Sequence, residues 1–237
     1  MNSDQIYRIP ASKGQRLNNG FTLMELMLAI VILGLVVTTV LASFNTVFST
    51  TDALQSNSQI YEMAKNCLKR MSRDLESVYI AQPPIYRPPE FDDLPDDYRI
   101  VGLSEDTSGT GFAKIRFASQ AHLPLENTIR GGVAEIVYYL QAKEDGSLVL
   151  KRSDNIYPYP EFEENGSHPI LCERVKSVTF KYYDAEGSEY EAWDSESDEY
   201  EYETPAAIEI RLEIADMSGS QFFGTLVKLP VHRSKIK

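Results

Sequence analysis

Gly20-Phe21-Thr22-Leu23-Met24-Glu25-Leu26-Met27-Leu28-Ala29-Ile30-Val31-Ile32-Leu33-Gly34-Leu35-Val36-Val37, apolar with few interruptions as far as Phe44, is the stretch on which the reading of this chain turns. As helix, Phe21 to Phe44 spans about 36 Å at roughly 1.5 Å per residue, enough to cross a bilayer. Before it, Arg8, Lys13 and Arg16 stand against Asp4, a net charge of +2. Basic residues ahead of a span hold that end in the cytoplasm, so the bulk of the chain is expected on the far side of the membrane. A secretory signal peptide fits poorly. The run exceeds the roughly 7–15 residues of a signal core, and no small-x-small cleavage site clearly follows it. A plain signal anchor suits the length but leaves Glu25 unexplained, because a carboxylate inside an apolar span costs about 2.5–3.5 kcal/mol and such residues usually have a partner.

Gly20-Phe21-Thr22-Leu23-Met24-Glu25 resembles the prepilin motif of type IV pilins and type II secretion pseudopilins. The resemblance implies that a membrane aspartyl peptidase cuts after Gly20. It also implies that Phe21 becomes an N-methylated mature terminus and that Glu25, fifth in the mature chain, serves assembly. The physics suits each role. Glycine lets backbone approach a peptidase closely. The amine of a neighbouring Phe21 can neutralise the Glu25 carboxylate within an apolar bundle.

Outward from the span, no proline occurs between Pro10 and Pro83. Apolar or small residues recur at Phe44, Val47, Thr51, Leu54, Ser58, Tyr61, Ala64, Leu68, Met71, Leu75 and Val78, a three-four spacing that marks one helix face. The helix is therefore expected to continue past the membrane as an amphipathic rod. Its first half needs lipid or partner helices and its second half needs a sheet. Pro83-Pro84-Ile85-Tyr86-Arg87-Pro88-Pro89, with Asp92, Asp93, Asp96 and Asp97, reads as a surface connection that ends the helix, in preference to a PxxP ligand.

Beyond Tyr98 the period turns to two. Strands are expected at Ala113 to Ala118, Val133 to Leu140, Leu148 to Arg152, Val175 to Asp184, Ile208 to Ile214 and Phe222 to Leu229, with hairpin turns at Glu144-Asp145-Gly146 and Ala185-Glu186-Gly187. The fold class is α+β: a long N-terminal membrane-spanning helix packed on a mainly antiparallel sheet. The expected division is 1–20 leader, 21–44 transmembrane helix, 45–82 amphipathic extension, 83–97 connection and 98–237 β-rich domain, which the resemblance makes pilin-like.

The net charge of −12 argues against nucleic-acid binding, which needs clustered Lys and Arg. Residues 184–203 hold ten acidic side chains and no Lys or Arg. A solvated acidic loop is the preferred reading. A calcium site on Asp194, Glu196, Asp198, Glu199, Glu201 and Glu203 is the alternative, without any EF-hand spacing to support it. His122, His168 and His232 lie far apart and outside any HExxH pattern, and the only cysteines are Cys67 and Cys172. No zinc enzyme and no cofactor is expected. Outside the cytoplasm the two cysteines can be bridged or remain buried thiols, and spacing alone does not choose between these states.

Val175 to Gly187, with its aromatic strand and Tyr183-Asp184-Ala185-Glu186-Gly187 turn, then Trp193, then Pro205 opening a strand, resembles the J-type minor pseudopilin, as does Arg70-Met71-Ser72-Arg73-Asp74-Leu75. The resemblance implies a structural subunit, not an enzyme, at or near the tip of a type II secretion pseudopilus, promoting assembly and protein export. Implied partners are the prepilin peptidase, other minor and major pseudopilins, the bacterial inner membrane and secreted protein cargo. It further implies a single-pass inner-membrane protein with its N-terminus in the cytoplasm and its C-terminal domain in the periplasm. The rivals are a minor type IV pilus subunit and a membrane-anchored periplasmic hydrolase, the latter unsupported by any GxSxG or paired His-Cys.

Overall fold

Helix α1 covers Leu23–Glu76 in a computed structural model that describes residues 20–103, 113–123, 131–216 and 219–236, and only the backbone of 45–56. The chain divides into two compact units, 1–54 and 55–237.

In the first unit, Leu23–Phe44 is the one helix among the described residues that is long and apolar enough to cross a membrane, and its side chains are exposed. Its hydroxyls are satisfied within the helix. Thr38 donates to Gly34 O at 2.9 Å, Thr39 to Val36 O at 2.9 Å and Ser43 to Thr39 O at 3.0 Å. These polar side chains therefore add no unpaired group to the apolar span.

In the second unit the helix buries Ile60, Ala64, Cys67, Leu68, Met71 and Leu75, a stripe at helical spacing. The expected stripe is right from Ala64 onward, but Ile60, fully buried, replaces Tyr61, which is 55% exposed. The expected positions 47, 51 and 54 lie outside the described side chains. The helix ends at Glu76, not at 82, and proline is not what stops it. Ser77 O accepts from Gln120 N–H at 2.9 Å, and Tyr79 N–H donates to Ala118 O at 2.9 Å. The neighbouring strand thus takes the backbone groups that a further helical turn would use.

The sheet contains β1 (Val101–Leu103), β2 (Lys114–Ser119), β3 (Ala134–Ala142), β4 (Leu148–Ile156), β5 (Ile170–Tyr183), β6 (Glu189–Tyr190), β7 (Trp193–Asp194), β8 (Ala207–Asp216) and β9 (Gly219–Lys228). The order is β7-β1-β2-β3-β4-β5-β8-β9, with β6 on β5, and every pairing is antiparallel. The six expected strands are all present, with ends shifted by a few residues. Along β8, Ile208, Ile210, Leu212 and Ile214 are buried while Glu209, Arg211 and Glu213 face outward. Each such isoleucine contributes about 1.5–3 kcal/mol by leaving water. The two expected turns place Gly146 at φ +79° and Gly187 at φ +88°, where a Cβ would be strained.

The three short strands β1, β6 and β7 have no alternation to announce them. In β1, a Cβ at Gly102 would fall 1.7 Å from Tyr182 Oη, so only glycine admits that ring.

Candidate processing and assembly segment

Thr22 begins the helix. Its hydroxyl accepts from the Glu25 N–H at 3.3 Å, and its carbonyl accepts from the N–H groups of Glu25 and Leu26 at 3.1 and 3.2 Å. Threonine followed three residues later by glutamate is the capping-box arrangement, and it sets Glu25 in the first turn, where the helix dipole favours an acid. Gly20 and Phe21 precede the helix and are exposed. A Cβ built at Gly20 meets nothing within 4 Å, so the fold itself does not require glycine there. Apart from Gly20, the leader expected at 1–20 lies outside the described residues. Gly20, Phe21 and Glu25 thus share one short exposed segment at the head of an apolar helix.

The other singled-out pair sits in the second unit. Cys67 on α1 and Cys172 on β5 are both buried and free, Cys67 Sγ lying 3.9 Å from the Met71 sulfur and Cys172 Sγ 3.7 Å from the Glu173 carbonyl.

The acidic segment departs from expectation. Trp193, Ser195 and Glu203 within it are buried. The Trp193 indole stacks on Tyr200 at 4.5 Å and donates to Glu203 O at 3.0 Å. Residues 198–200 form a 3-10 turn with Ser197 as its cap, followed by Glu201 and Tyr202 at positive φ. The cation that holds it comes from the far end of the chain. Arg233, 1% exposed, donates to Ser195 O at 2.7 Å and Tyr202 O at 2.8 Å, pairs with Glu196 at 3.2 Å, and lies 3.3 Å from the centre of the Tyr86 ring. A solvated loop is therefore replaced by a packed lobe that buries Asp184 and Glu203 and leaves Glu186, Glu189, Glu191, Asp198 and Glu199 exposed. Among the described residues, no group of three or more His, Cys, Asp or Glu is arranged to hold a metal ion.

A second charged cluster escaped the sequence reading. Asp74, fully buried near the end of α1, accepts from Arg152 Nε at 2.7 Å and from the Tyr138 hydroxyl, and pairs with Arg70 at 2.6 Å. Arg152 also pairs with Asp154 at 2.5 Å, and Asp154 meets His122 at 2.6 Å. Burial alone would lower the Arg152 pKa, but the Asp74 carboxylate outweighs it and holds the guanidinium above its ordinary value. Burial would likewise raise Asp154, yet bonds from His122, the Leu123 N–H and Arg152 bring it below the usual carboxylate range. The only signal was Asp74 lying beside Leu75 on the buried face of a helix.

A family model described as type II secretion system (T2SS), protein J, matches residues 42–221. The chain belongs to the type II secretion system protein J family. The prokaryotic N-terminal methylation motif matches residues 15–41, across the Gly20-Phe21 junction. No curated protein matches the chain. This member of the protein J family is a minor pseudopilin of a type II secretion system, a membrane-anchored structural subunit that interacts with other pseudopilins. The residues that carry the J-type resemblance have visible work. Asp184 accepts the Ser188 N–H at 2.7 Å to close the β5–β6 turn, Trp193 seats the acidic lobe, and Pro205 leads into β8, with the Ala206 N–H donating to Tyr183 O at 2.8 Å.

Proposed function

We propose that the chain is cut after Gly20, that Phe21 becomes the methylated mature terminus, and that Glu25 pairs with the Phe21 amine of an adjoining subunit when the helices bundle. The supporting observation is the helix start. Gly20 is open to a peptidase and free of any steric duty in the fold, while the Thr22 cap fixes Glu25 in the first turn, close to the new terminus. In an apolar bundle a lone carboxylate is costly and an opposed amine offsets that cost. The N-terminal end of the helix faces the cytoplasm, following the basic residues before the span, and the sheet domain lies in the periplasm. There it sits at or near the pseudopilus tip with other minor pseudopilins, promotes assembly and meets cargo.

Mass spectrometry of the mature protein tests the first step. The expected terminus is N-methylated Phe21, and any other terminus defeats the assignment. Gly20→Ala should slow processing modestly, whereas Gly20→Leu should block it and leave precursor in the membrane.

A further inference from the structure

The outer face of β2 and β3 is covered. Ile115 and Phe117 of β2, with Ile136 and Tyr138 of β3, belong to the core, so Lys114, Arg116, Glu135, Val137 and Tyr139 lie on the opposite face. Val137 and Tyr139 are nevertheless 1% and 2% exposed, because residues 157–168, between β4 and β5, pass over them. The Phe162 ring meets Tyr139 edge-on at 5.1 Å, the Tyr139 hydroxyl lies 2.7 Å from the His168 ring, and the Tyr159 hydroxyl donates to Val133 O at 3.4 Å. Between this strap and the sheet is an open cavity of about 350 Å³.

Arg99, Lys114 and Arg116 bring three cations to that cavity, and Arg116 is in register with Val101, two residues from Arg99. Their donors are not used up within the fold. Arg116 gives Nε to Glu135 and Nη2 to Asp97 O at 3.3 Å, but its Nη1 is buried without a partner. Arg99 Nε is likewise buried and unpartnered, and among the described residues its guanidinium makes no hydrogen bond or ion pair. The Lys114 ammonium lies 3.8 Å from the Phe162 ring centre and 3.8 Å from a Glu164 oxygen, beyond hydrogen-bond length. One acceptor is also unused, since Glu135 Oε2 is buried with no partner. A buried polar atom left in this state costs about 1–3 kcal/mol, which a ligand group can relieve. Burial, and then the charge of Arg116, hold the Arg99 pKa below its ordinary value, a repulsion that an anion would also relieve.

We propose that this cavity binds a carboxylate carried by the peptide chain of a partner protein, with Arg99 and Arg116 as the main donors and Lys114 as a supporting charge. A planar guanidinium matches a carboxylate through two parallel N–H bonds. The balance of charge favours a monoanion. Asp97, Glu135 and Glu161 line the same cavity, so a doubly charged phosphate meets more repulsion there than a carboxylate does. Glu135 Oε2 calls for a donor beside the anion, and a peptide carries an N–H close to its carboxylate, whether that is a side chain or the C-terminus. Tyr159 and Phe162 give the adjoining part of the peptide an apolar wall. The site belongs to the sheet domain and does not depend on processing at Gly20.

The test titrates the purified full chain, in detergent at low salt, with short peptides in a calorimeter. Acetyl-Gly-Glu-Gly-amide offers a side-chain carboxylate and acetyl-Gly-Phe a C-terminal one. Acetyl-Gly-Gln-Gly-amide and acetyl-Gly-Phe-amide are their uncharged counterparts. The expected result is saturable binding of at least one acidic peptide, with a dissociation constant of about 1 mM and roughly tenfold tighter than its uncharged counterpart. Which acidic peptide binds more tightly tells a side-chain source from a chain terminus. Arg99→Gln should fold normally, because the guanidinium has no partner to lose, and should weaken binding roughly tenfold. Lys114→Gln should weaken it less, and Lys143→Gln, whose cation pairs with Glu173 away from the cavity, should leave it unchanged. No binding of either acidic peptide at about 10 mM, equal binding of charged and uncharged peptides, or tighter binding of inorganic phosphate would overturn the proposal. Wild-type affinity in both Arg99→Gln and Lys114→Gln would overturn it equally.

Discussion

Arg152 on β4 donates to the carboxylate of Asp74 on α1 across 2.7 Å, with Asp74 fully buried and Arg152 4% exposed. Tyr138 and Arg70 complete the carboxylate's surroundings, and the Asp74 carbonyl accepts from Ser119 at 2.7 Å. The last turn of the helix is thereby tied to three strands by charge as well as by packing. A buried pair of this kind adds little stability relative to apolar residues of the same shape, but breaking it is costly.

Asp74→Asn should therefore destabilise the domain by about 3 kcal/mol, because Arg152 and Arg70 lose the carboxylate between them and only Asp154 is left to balance the buried Arg152 guanidinium. Denaturant unfolding reads this directly. Pairing it with Arg152→Met should recover most of the loss. Equal and additive losses for the two substitutions would show that the residues do not act together.

Acid should loosen the same corner. Asp154 has a depressed pKa in the folded chain, so its contribution is fully present above the ordinary carboxylate range and is lost as pH falls through the depressed value. His168 is also lowered, by burial and then by Lys151, with its ring 2.7 Å from the Tyr139 hydroxyl. A lowered histidine folds best neutral, so stability should begin to decline as pH drops below about 6.5 and fall further below about 4. Melting temperature across pH 3 to 8 checks both phases, and His168→Gln should remove the upper one.

Glu25→Val should leave the melting of the second unit unchanged, since Glu25 belongs to the exposed segment of the first. It should also make the span insert more favourably, by about 2.5–3.5 kcal/mol on insertion scales. Secretion and co-purification with other pseudopilins should nevertheless fall sharply. Wild-type secretion from the variant would end the pairing account.

Arg233→Ala should release the acidic lobe. The guanidinium joins Ser195, Tyr202, Glu196 and Tyr86, so its removal leaves buried carbonyls and the Glu196 carboxylate short of a donor, at about 2–4 kcal/mol. Trp193, the only tryptophan, lies in that lobe and reports by fluorescence. An unchanged emission maximum and unchanged quenching by iodide would contradict this role. Calcium should bring no recovery beyond what sodium chloride achieves, because the lobe is held by a cation of the chain itself.

The helix head, the span and the main strands were legible in the amino-acid sequence, because each is a local pattern. An unbroken apolar run, a basic flank and Thr22-x-x-Glu25 act within a few residues, and alternation along β8 reflects the two faces of one strand. Local patterns also misled. The run of carboxylates at 184–203 reads as a solvated loop, yet Arg233 packs Ser195, Glu196 and Tyr202 into a buried lobe. The stop expected at proline came earlier because the end of β2 and the residue after it claimed the backbone of Ser77 and Tyr79.

By itself, the sequence determined that this chain has a membrane-length helix with a prepilin-type head and a mainly antiparallel domain behind it. Tertiary structure alone decided which distant side chains meet: Asp74 with Arg152, and Arg233 with the acidic lobe. The reason is physical. Helix and strand periods depend on neighbours along the chain, whereas a buried charge takes its partner from whichever element the packed core brings beside it, and spacing in sequence carries no record of that distance.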